Sequence, residues 1–139
     1  NDMPDMDYWI KKYEDKTGEE FKPSPGFKLF FIPARGFCEV MANAEKEMMI
    51  VRQLSGDAIF WKDFVEAFCQ AIGYHRIGTY CIRNIIPYIR MGGFHIDRTE
   101  ETPDGLRYFC TDNIGRHGQA SPAWITAKGI RAYYITWEV

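Results

Sequence analysis

The chain has 139 residues and a formal net charge of −2, and 46% of its residues are hydrophobic and 26% charged. These values are typical of one globular domain that can bury a core without disulfides or metals. The negative net charge makes nucleic-acid binding unlikely, because a module that binds a duplex normally carries a basic face. With no apolar run long enough to cross a bilayer, we expect a cytoplasmic protein with no membrane contact.

The four cysteines and three histidines are scattered along the chain, and no Cys-x-x-Cys motif is present. A zinc site would need these ligands at close spacing, so the sequence predicts no metal. Most of the cysteines lie within apolar strand or helix patterns. We therefore expect them to be buried, reduced thiols in a reducing compartment. The four are Cys38, Cys69, Cys81 and Cys110.

The N-terminal third of the sequence is predicted to form a helix followed by strands. Apolar residues at helical spacing place a helix within residues 1–20, and Gly18 ends it. A linker rich in proline, residues 22–26, follows. Strands 27–32 and 36–42 flank a turn at Ala34-Arg35-Gly36, and strand 47–54 completes an antiparallel meander of three strands. The helical positions are Met6, Trp9, Ile10 and Tyr13.

The middle of the chain predicts a strand–helix–strand unit. An apolar helix runs from Ala58 to about Ile72, a strand covers residues 75–82, and a short helix covers residues 84–90. Because a parallel pair of strands needs such a crossover, strands 47–54 and 75–82 should lie parallel and splay apart at the C-terminal end of the first. The resulting crevice is the expected ligand site. Three arginines near it, Arg76, Arg83 and Arg90, could meet a phosphate.

The C-terminal part predicts a hairpin of residues 94–98 and 106–111 around the turn Thr102-Pro-Asp-Gly105. A loop over residues 112–122 and a final strand over residues 130–139 complete the chain. An exposed edge on that last strand would make a homodimer possible. The fold class expected is α+β, with a mixed, mostly antiparallel central sheet flanked by helices.

Two segments carry a resemblance to a known family. Gln53-Leu-Ser-Gly-Asp-Ala58, between a predicted strand and helix, matches the Q/R-x-x-G-x-G/A motif of the GNAT acyltransferases. The segment from Asn84 through Tyr88 to Gly93-Phe94 is similar to a later pattern of that family. The resemblance covers residues 27–112 and implies a single GNAT-like domain that moves an acetyl group from acetyl-CoA to an amine.

The resemblance also implies where acetyl-CoA would bind. Exposed N–H groups at a helix N-terminus hold anions such as a pyrophosphate. Asp57 departs from the motif, because its carboxylate opposes a pyrophosphate there; the alternative is that Asp57 caps the helix. Asn84 would bind the pantetheine arm, or it is an ordinary helix cap. The implied cofactor-binding residues are Gln53, Ser55, Gly56, Asp57, Ala58 and Asn84.

An acyltransferase needs a base for the attacking amine and a proton donor for the departing thiolate. The resemblance places the donor on Tyr88, and Glu39 and Glu47 are the candidate bases, although each of the three could be an ordinary core or strand residue. The function expected is N-acetyl transfer to an amine of unknown identity. The alternative is a catalytically inactive GNAT-like binding or scaffold protein, of the kind found in phage-derived loci.

Overall fold

The computed structural model describes residues 3–139, and over this range it contains three helices and eight strands. The first half holds α1 (Met6–Thr17), β1 (Lys28–Ile32), β2 (Gly36–Asn43), β3 (Met48–Gly56), α2 (Ala58–Ala71) and β4 (Arg76–Cys81). The second half holds α3 (Ile85–Met91), β5 (Phe94–Thr102), β6 (Gly105–Asp112), β7 (His117–Ile125) and β8 (Arg131–Glu138).

The eight strands form one sheet in the order β1-β2-β3-β4-β8-β7-β6-β5. Every neighbouring pair is antiparallel except β3 and β4, which are parallel. The parallel pair is joined by α2, the crossover that a parallel connection requires. The predicted α+β class and the predicted parallel pair are therefore confirmed. None of the helices within residues 3–139 is long and apolar enough to cross a bilayer.

Helix α1 packs on one face of the sheet, against β2 and β3. Asp5 caps it by accepting the N–H of Tyr8 at 2.9 Å, and Gly18 ends it in the left-handed conformation. The buried ring of Tyr13 packs 5.9 Å from that of Phe37. The predicted helix and its end at Gly18 are thus correct; residues 1 and 2 of the predicted range lie outside the described residues.

Helix α2 covers the opposite face, where the main core lies. Its inner face carries Trp61, Val65 and Cys69, all essentially inaccessible to solvent. They belong to one apolar cluster with residues of β2 and β3 such as Cys38 and Met49. Cys38 and Phe37 are neighbours on β2 and point to opposite faces, as strand geometry requires.

Strand β3 contains a bulge at its centre. Cys38 pairs with Leu54 and Val40 with Val51, so the single residue Glu39 of β2 faces two residues of β3, Arg52 and Gln53. A bulge of this kind bends its strand and increases the local twist. Beyond the bulge, β3 turns away from β4.

Three secondary-structure predictions were wrong. Residues 117–125 form β7 rather than loop, although Gly118 and Pro122 are poor strand formers; a register shift after Pro122 accommodates the proline. Strand β8 lies inside the sheet between β4 and β7, so it has no free edge, and β1 and β5 are the edge strands. The reason given for a homodimer therefore fails. Glu47 lies in the turn before β3, with a φ of +50°.

Candidate active site

The two parallel strands separate halfway along their length. Their pairing runs from Met48 and Arg76 to Val51 and Thr79 and then stops. Strand β3 nevertheless continues to Gly56 and β4 to Cys81. The separation begins at the bulge, and it confirms the predicted splaying. Facing strand edges that no longer pair leave backbone N–H and C=O groups for another extended chain.

A cleft of about 630 Å³ opens at the separation on the face that α1 covers. Residues of α1, of the outer half of β3 and of the β4–α3 connection line it. Four of the lining side chains are cationic: Lys12, Lys16, Arg52 and Arg83. The one lining carboxylate, Asp15, already accepts a hydrogen bond from Lys11 at 3.0 Å. The cleft is therefore electropositive in a protein of negative net charge.

A second, smaller cavity of about 70 Å³ lies on the opposite face, between α2 and α3. Its walls are mainly apolar and include Ala58 and Ile59 of α2 and Phe94 of β5. The cleft and the cavity share three lining residues: Leu54, Thr79 and Tyr88. Because α1 and α2 cover opposite faces, the two spaces approach each other through the sheet where β3 and β4 separate.

Tyr88 lies at this junction. It belongs to α3, which carries Pro87 in its first turn, as predicted. Its ring lies 5.2 Å from the guanidinium of Arg83. Burial raises the pKa of Tyr88 to about 12, with a smaller contribution from Cys81. The hydroxyl is therefore protonated near neutral pH and can donate a proton or a hydrogen bond to a group at the junction.

The N-terminus of α2 is occupied by the protein itself. The Asp57 carboxylate caps the helix by accepting the Phe60 N–H at 3.0 Å, and its other oxygen accepts from Arg35 Nη1 at 2.6 Å. The hydrogen bond from Phe60 and then that from Arg35 hold the pKa of Asp57 below its usual value. Of the two roles considered for Asp57, the structure shows the helix cap.

Gly56 serves the contact between this helix and the β1–β2 turn. Its φ is +109°, and a Cβ at this position would lie 2.1 Å from the carbonyl oxygen of Arg35. The same carbonyl accepts the Trp61 indole N–H at 2.9 Å. The glycine is needed for this close backbone approach, whatever else binds nearby.

Glu39 and Gln53, a predicted base and a predicted cofactor contact, bind each other instead. The Gln53 amide donates to Glu39 Oε1 at 2.7 Å and to the Lys22 carbonyl at 2.6 Å. Glu39, only 1% exposed, also accepts the N–H and the hydroxyl of Ser24. This network fastens residues 22–24 of the linker to the bulge of β3.

The remaining predicted site residues are dispersed. Glu47 precedes β3 and lies at the end of the strand opposite to the cleft. Ser55 lines the cleft, but its hydroxyl donates to the Trp9 carbonyl at 2.8 Å and so anchors α1. Ala58 lines the small cavity. Asn84 occupies the N-cap position of α3 without a side-chain cap bond, and its side chain is exposed.

The cationic lining was largely missed by the sequence analysis. Arg83 was identified as near the crevice, but Lys12 and Lys16 were not singled out. Their four-residue spacing, which places both on one face of α1, was the available signal. Strand alternation after the apolar Val51 places Arg52 on the opposite face, but the cleft on that face exists only because α1 packs there.

Thiol chemistry at the junction is disfavoured. All four cysteines are buried free thiols. Burial raises the pKa of Cys38 to about 12 and that of Cys81 and Cys110 to about 11, so these thiols stay protonated and unreactive near neutral pH. Within residues 3–139, no group of three or more His, Cys, Asp or Glu side chains is arranged to hold a metal ion.

Comparisons with known proteins give no relative for this chain. No family model, no curated protein and no solved structure matches it.

Proposed function

We propose that the protein is an N-acetyltransferase that moves an acetyl group from acetyl-CoA to an amine at the junction between β3 and β4. The observation that carries this proposal is the separation of the two parallel strands at the bulge, with Tyr88 between a cavity on one face and a cleft on the other. The resemblance of residues 53–58 and 84–94 to the GNAT acyltransferases supports the same activity.

The unpaired strand edges suit the pantetheine arm. This arm is an extended chain with amide groups, and Arg52–Gly56 and Tyr80–Cys81 offer backbone partners on either side. The apolar cavity of about 70 Å³ has room for a small group such as an acetyl. The acceptor amine would approach from the larger cleft, so that the two reactants meet beside Tyr88.

The chemistry requires one bond to form and one to break. The amine nitrogen attacks the thioester carbonyl carbon, and the C–S bond breaks as the amide bond completes. The departing thiolate takes the hydroxyl proton of Tyr88, and the phenolate left behind recovers a proton from solvent through the cleft. Glu39 is held in its buried network and Glu47 lies elsewhere, so the amine loses its proton to solvent through the cleft.

The N-terminus of α2 does not fit a pyrophosphate in this conformation. The Asp57 carboxylate already accepts from the first turn, and Arg35 pairs with that carboxylate. We therefore assign no phosphate of the cofactor to this helix end. In the proposed mode, acetyl-CoA is held mainly along its pantetheine arm.

A second candidate function follows from the same observation. If Asp57 and the Glu39–Gln53 network mark a site that no longer takes acetyl-CoA, the protein is an inactive GNAT-like binding module. Its ligand would then occupy the cationic cleft alone. The two functions differ in one property, the binding of acetyl-CoA.

Calorimetric titration of the protein with acetyl-CoA tests the proposal. We expect saturable binding, and we expect Leu54→Trp to abolish it because Leu54 lines both spaces at the junction. The matched control is Leu106→Trp, at an exposed hairpin position, which should bind like the wild type. Thermal unfolding of both variants establishes that they are folded. A wild-type protein that takes up no acetyl-CoA would leave the binding module as the function.

A further inference from the structure

The cationic cleft gathers four positively charged side chains and a single carboxylate, that of Asp15, which already accepts from Lys11. Lys12 and Lys16 lie four residues apart on α1, where like charges disfavour the helix. Burial, then the charges of Arg83 and Lys12, lowers the pKa of Lys16. Within residues 3–139, none of the four lining cations forms an ion pair with a carboxylate. A bound anion would relieve this repulsion.

The chemistry of the four cations suits a phosphate group. Two arginines can each donate paired hydrogen bonds to phosphate oxygens, and two lysines add point charges. They come from three places in the fold: α1, the bulge of β3 and the β4–α3 connection. Arg52 directly follows the last residue of β3 that pairs with β4, and Arg83 comes just after the end of β4, so the cluster lies where the separation opens the cleft.

Aromatic rings accompany the cations. Trp9, Tyr13, Tyr80 and Tyr88 all line the cleft. The ring of Tyr80 packs 5.1 Å from that of Trp124, which is 43% exposed. Flat rings beside basic side chains are the combination that holds nucleotides, because the base stacks while the cations hold the phosphate.

We infer that the cleft on the α1 face binds a nucleotide-type phosphate ester and, resting on the proposed function, that this group belongs to the amine acceptor. The assignment to the acceptor follows from the position of the cluster, on the face opposite to the small apolar cavity. The volume of about 630 Å³ is that of a small-molecule site, which favours a single nucleotide over a polymer.

Titration with adenosine 5′-monophosphate and with adenosine tests the inference, since the two probes differ only in the phosphate. The nucleotide should bind more tightly, and its affinity should fall as salt is raised. The double variant Lys12→Gln/Lys16→Gln, at exposed helix positions, should weaken nucleotide binding about tenfold. Lys28→Gln is the matched control, since Lys28 is exposed on β1 and lines neither the cleft nor the cavity, and it should bind like the wild type.

A parallel titration with acetyl-CoA separates this inference from the proposed function. If the double variant binds acetyl-CoA as tightly as the wild type does, the assignment of the phosphate site to the acceptor is supported. If its acetyl-CoA affinity falls together with its nucleotide affinity, the phosphate site belongs to the cofactor and the assignment to the acceptor is overturned. Equal affinity for nucleotide and nucleoside, or full nucleotide affinity in the double variant, overturns the phosphate site. Tighter binding of a single-stranded oligonucleotide than of the mononucleotide overturns the small-ligand assignment. If the protein binds the nucleotide but not acetyl-CoA, the phosphate site is supported and the proposed function is wrong.

Discussion

Tyr88 is the single side chain on which the proposed chemistry depends most. It borders both spaces, and its hydroxyl is the proposed proton donor for the leaving thiolate. Replacing it with phenylalanine removes the hydroxyl but keeps the ring that packs against Arg83. Tyr88→Phe should therefore fold normally and bind acetyl-CoA with unchanged affinity.

Acetyl transfer by Tyr88→Phe should be slower by about 10²-fold or more, since general acid catalysis contributes on that scale. Turnover is measured as thiol release from acetyl-CoA in the presence of an amine acceptor. The matched control is Tyr74→Phe, which removes the same hydroxyl from a tyrosine of the core outside both spaces. Equal turnover in Tyr88→Phe and the wild type would remove Tyr88 from the mechanism.

Asp57 has a structural role that can be separated from ligand binding. Asp57→Ala removes the cap of α2 and the partner of Arg35, so its melting temperature should drop by several degrees. Asp57→Asn keeps a capping oxygen and should melt close to the wild type.

Calorimetry should give the same acetyl-CoA affinity for Asp57→Asn and the wild type. A gain of about fivefold would instead place the pyrophosphate at this helix end.

At the scale of elements, the bulge of β3 is the feature that makes the site. It lies where β3 stops pairing with β4, it includes Arg52, which lines the cleft, and it faces Glu39. The Glu39 network holds the linker across this irregular point through three accepted hydrogen bonds. The hydrogen bonds of Glu39 therefore hold the linker to the sheet at the bulge, where the cleft opens.

Breaking the Glu39 network should destabilise the whole domain. Glu39→Gln presents an amide where the carboxylate accepts from Ser24 and Gln53, so at least one buried donor is left without an acceptor. We expect the free energy of unfolding, measured in urea, to fall by about 1–3 kcal/mol. Glu20→Gln, an exposed position in the same region, should stay within about 0.5 kcal/mol of the wild type. If the two variants are equally stable, the network contributes nothing.

At the scale of the molecule, the two halves of the sheet are tied together by a partly buried charge network. Glu66 of α2 accepts from Lys62 and from the Trp137 indole, and it pairs with Arg116. Asp112 accepts from Arg116 at 2.7 Å. Burial alone would raise the pKa of Asp112, but the hydrogen bonds from Arg116 outweigh it and hold the pKa below the usual value.

This network predicts how stability depends on pH. A carboxyl whose pKa is lower in the folded state stabilises the fold above its unfolded pKa, and that stabilisation is lost as the pH falls through the folded pKa. The pKa of Asp112 and that of Glu66 are both lowered from unfolded values of 3.8 and 4.5, so acid should destabilise the protein below about pH 4.

Urea unfolding of Asp112→Asn at pH 7 and at pH 3 measures this contribution. The variant should be less stable than the wild type at pH 7 by about 1–3 kcal/mol, and the difference should shrink at pH 3. Asp104→Asn, in the exposed turn between β5 and β6, is the control for the general effect of removing a carboxylate. A difference that stays constant with pH would show that Asp112 does not act through its charge.

Much of the fold was predictable because its signals are local. Hydrophobic spacing, Gly18 and the turn Thr102-Pro-Asp-Gly105 place α1 and the hairpin, and the apolar helix after residue 57 implies the parallel pair. Strand β7 was missed because its stability comes from two neighbouring strands rather than from its own residues, which include glycine and proline. The central position of β8 likewise depends on pairings that sequence spacing does not show.

The location of the candidate site could be predicted from the sequence, but most of its residues could not. The crossover located the crevice, and the resemblance of residues 84–94 to the GNAT acyltransferases suggested Tyr88. The roles of Glu39 and Gln53 could not be foreseen, because they depend on the linker crossing this face of the sheet, where Ser24 and the Lys22 carbonyl bind them. The electropositive cleft depends on α1 folding over one face of the sheet, where the Ser55 hydroxyl donates to the carbonyl of Trp9, 46 positions earlier.

Hydrogen exchange of the backbone amides, measured with and without acetyl-CoA, tests the central claim most directly. If the pantetheine arm lies between the separated strands, Arg52–Gly56 and Tyr80–Ile82 should gain protection on addition of acetyl-CoA. Met48–Val51 and Arg76–Thr79, which already pair with each other, should change little. Protection that arises elsewhere, or no protection at saturating acetyl-CoA, would contradict acetyl transfer at this junction.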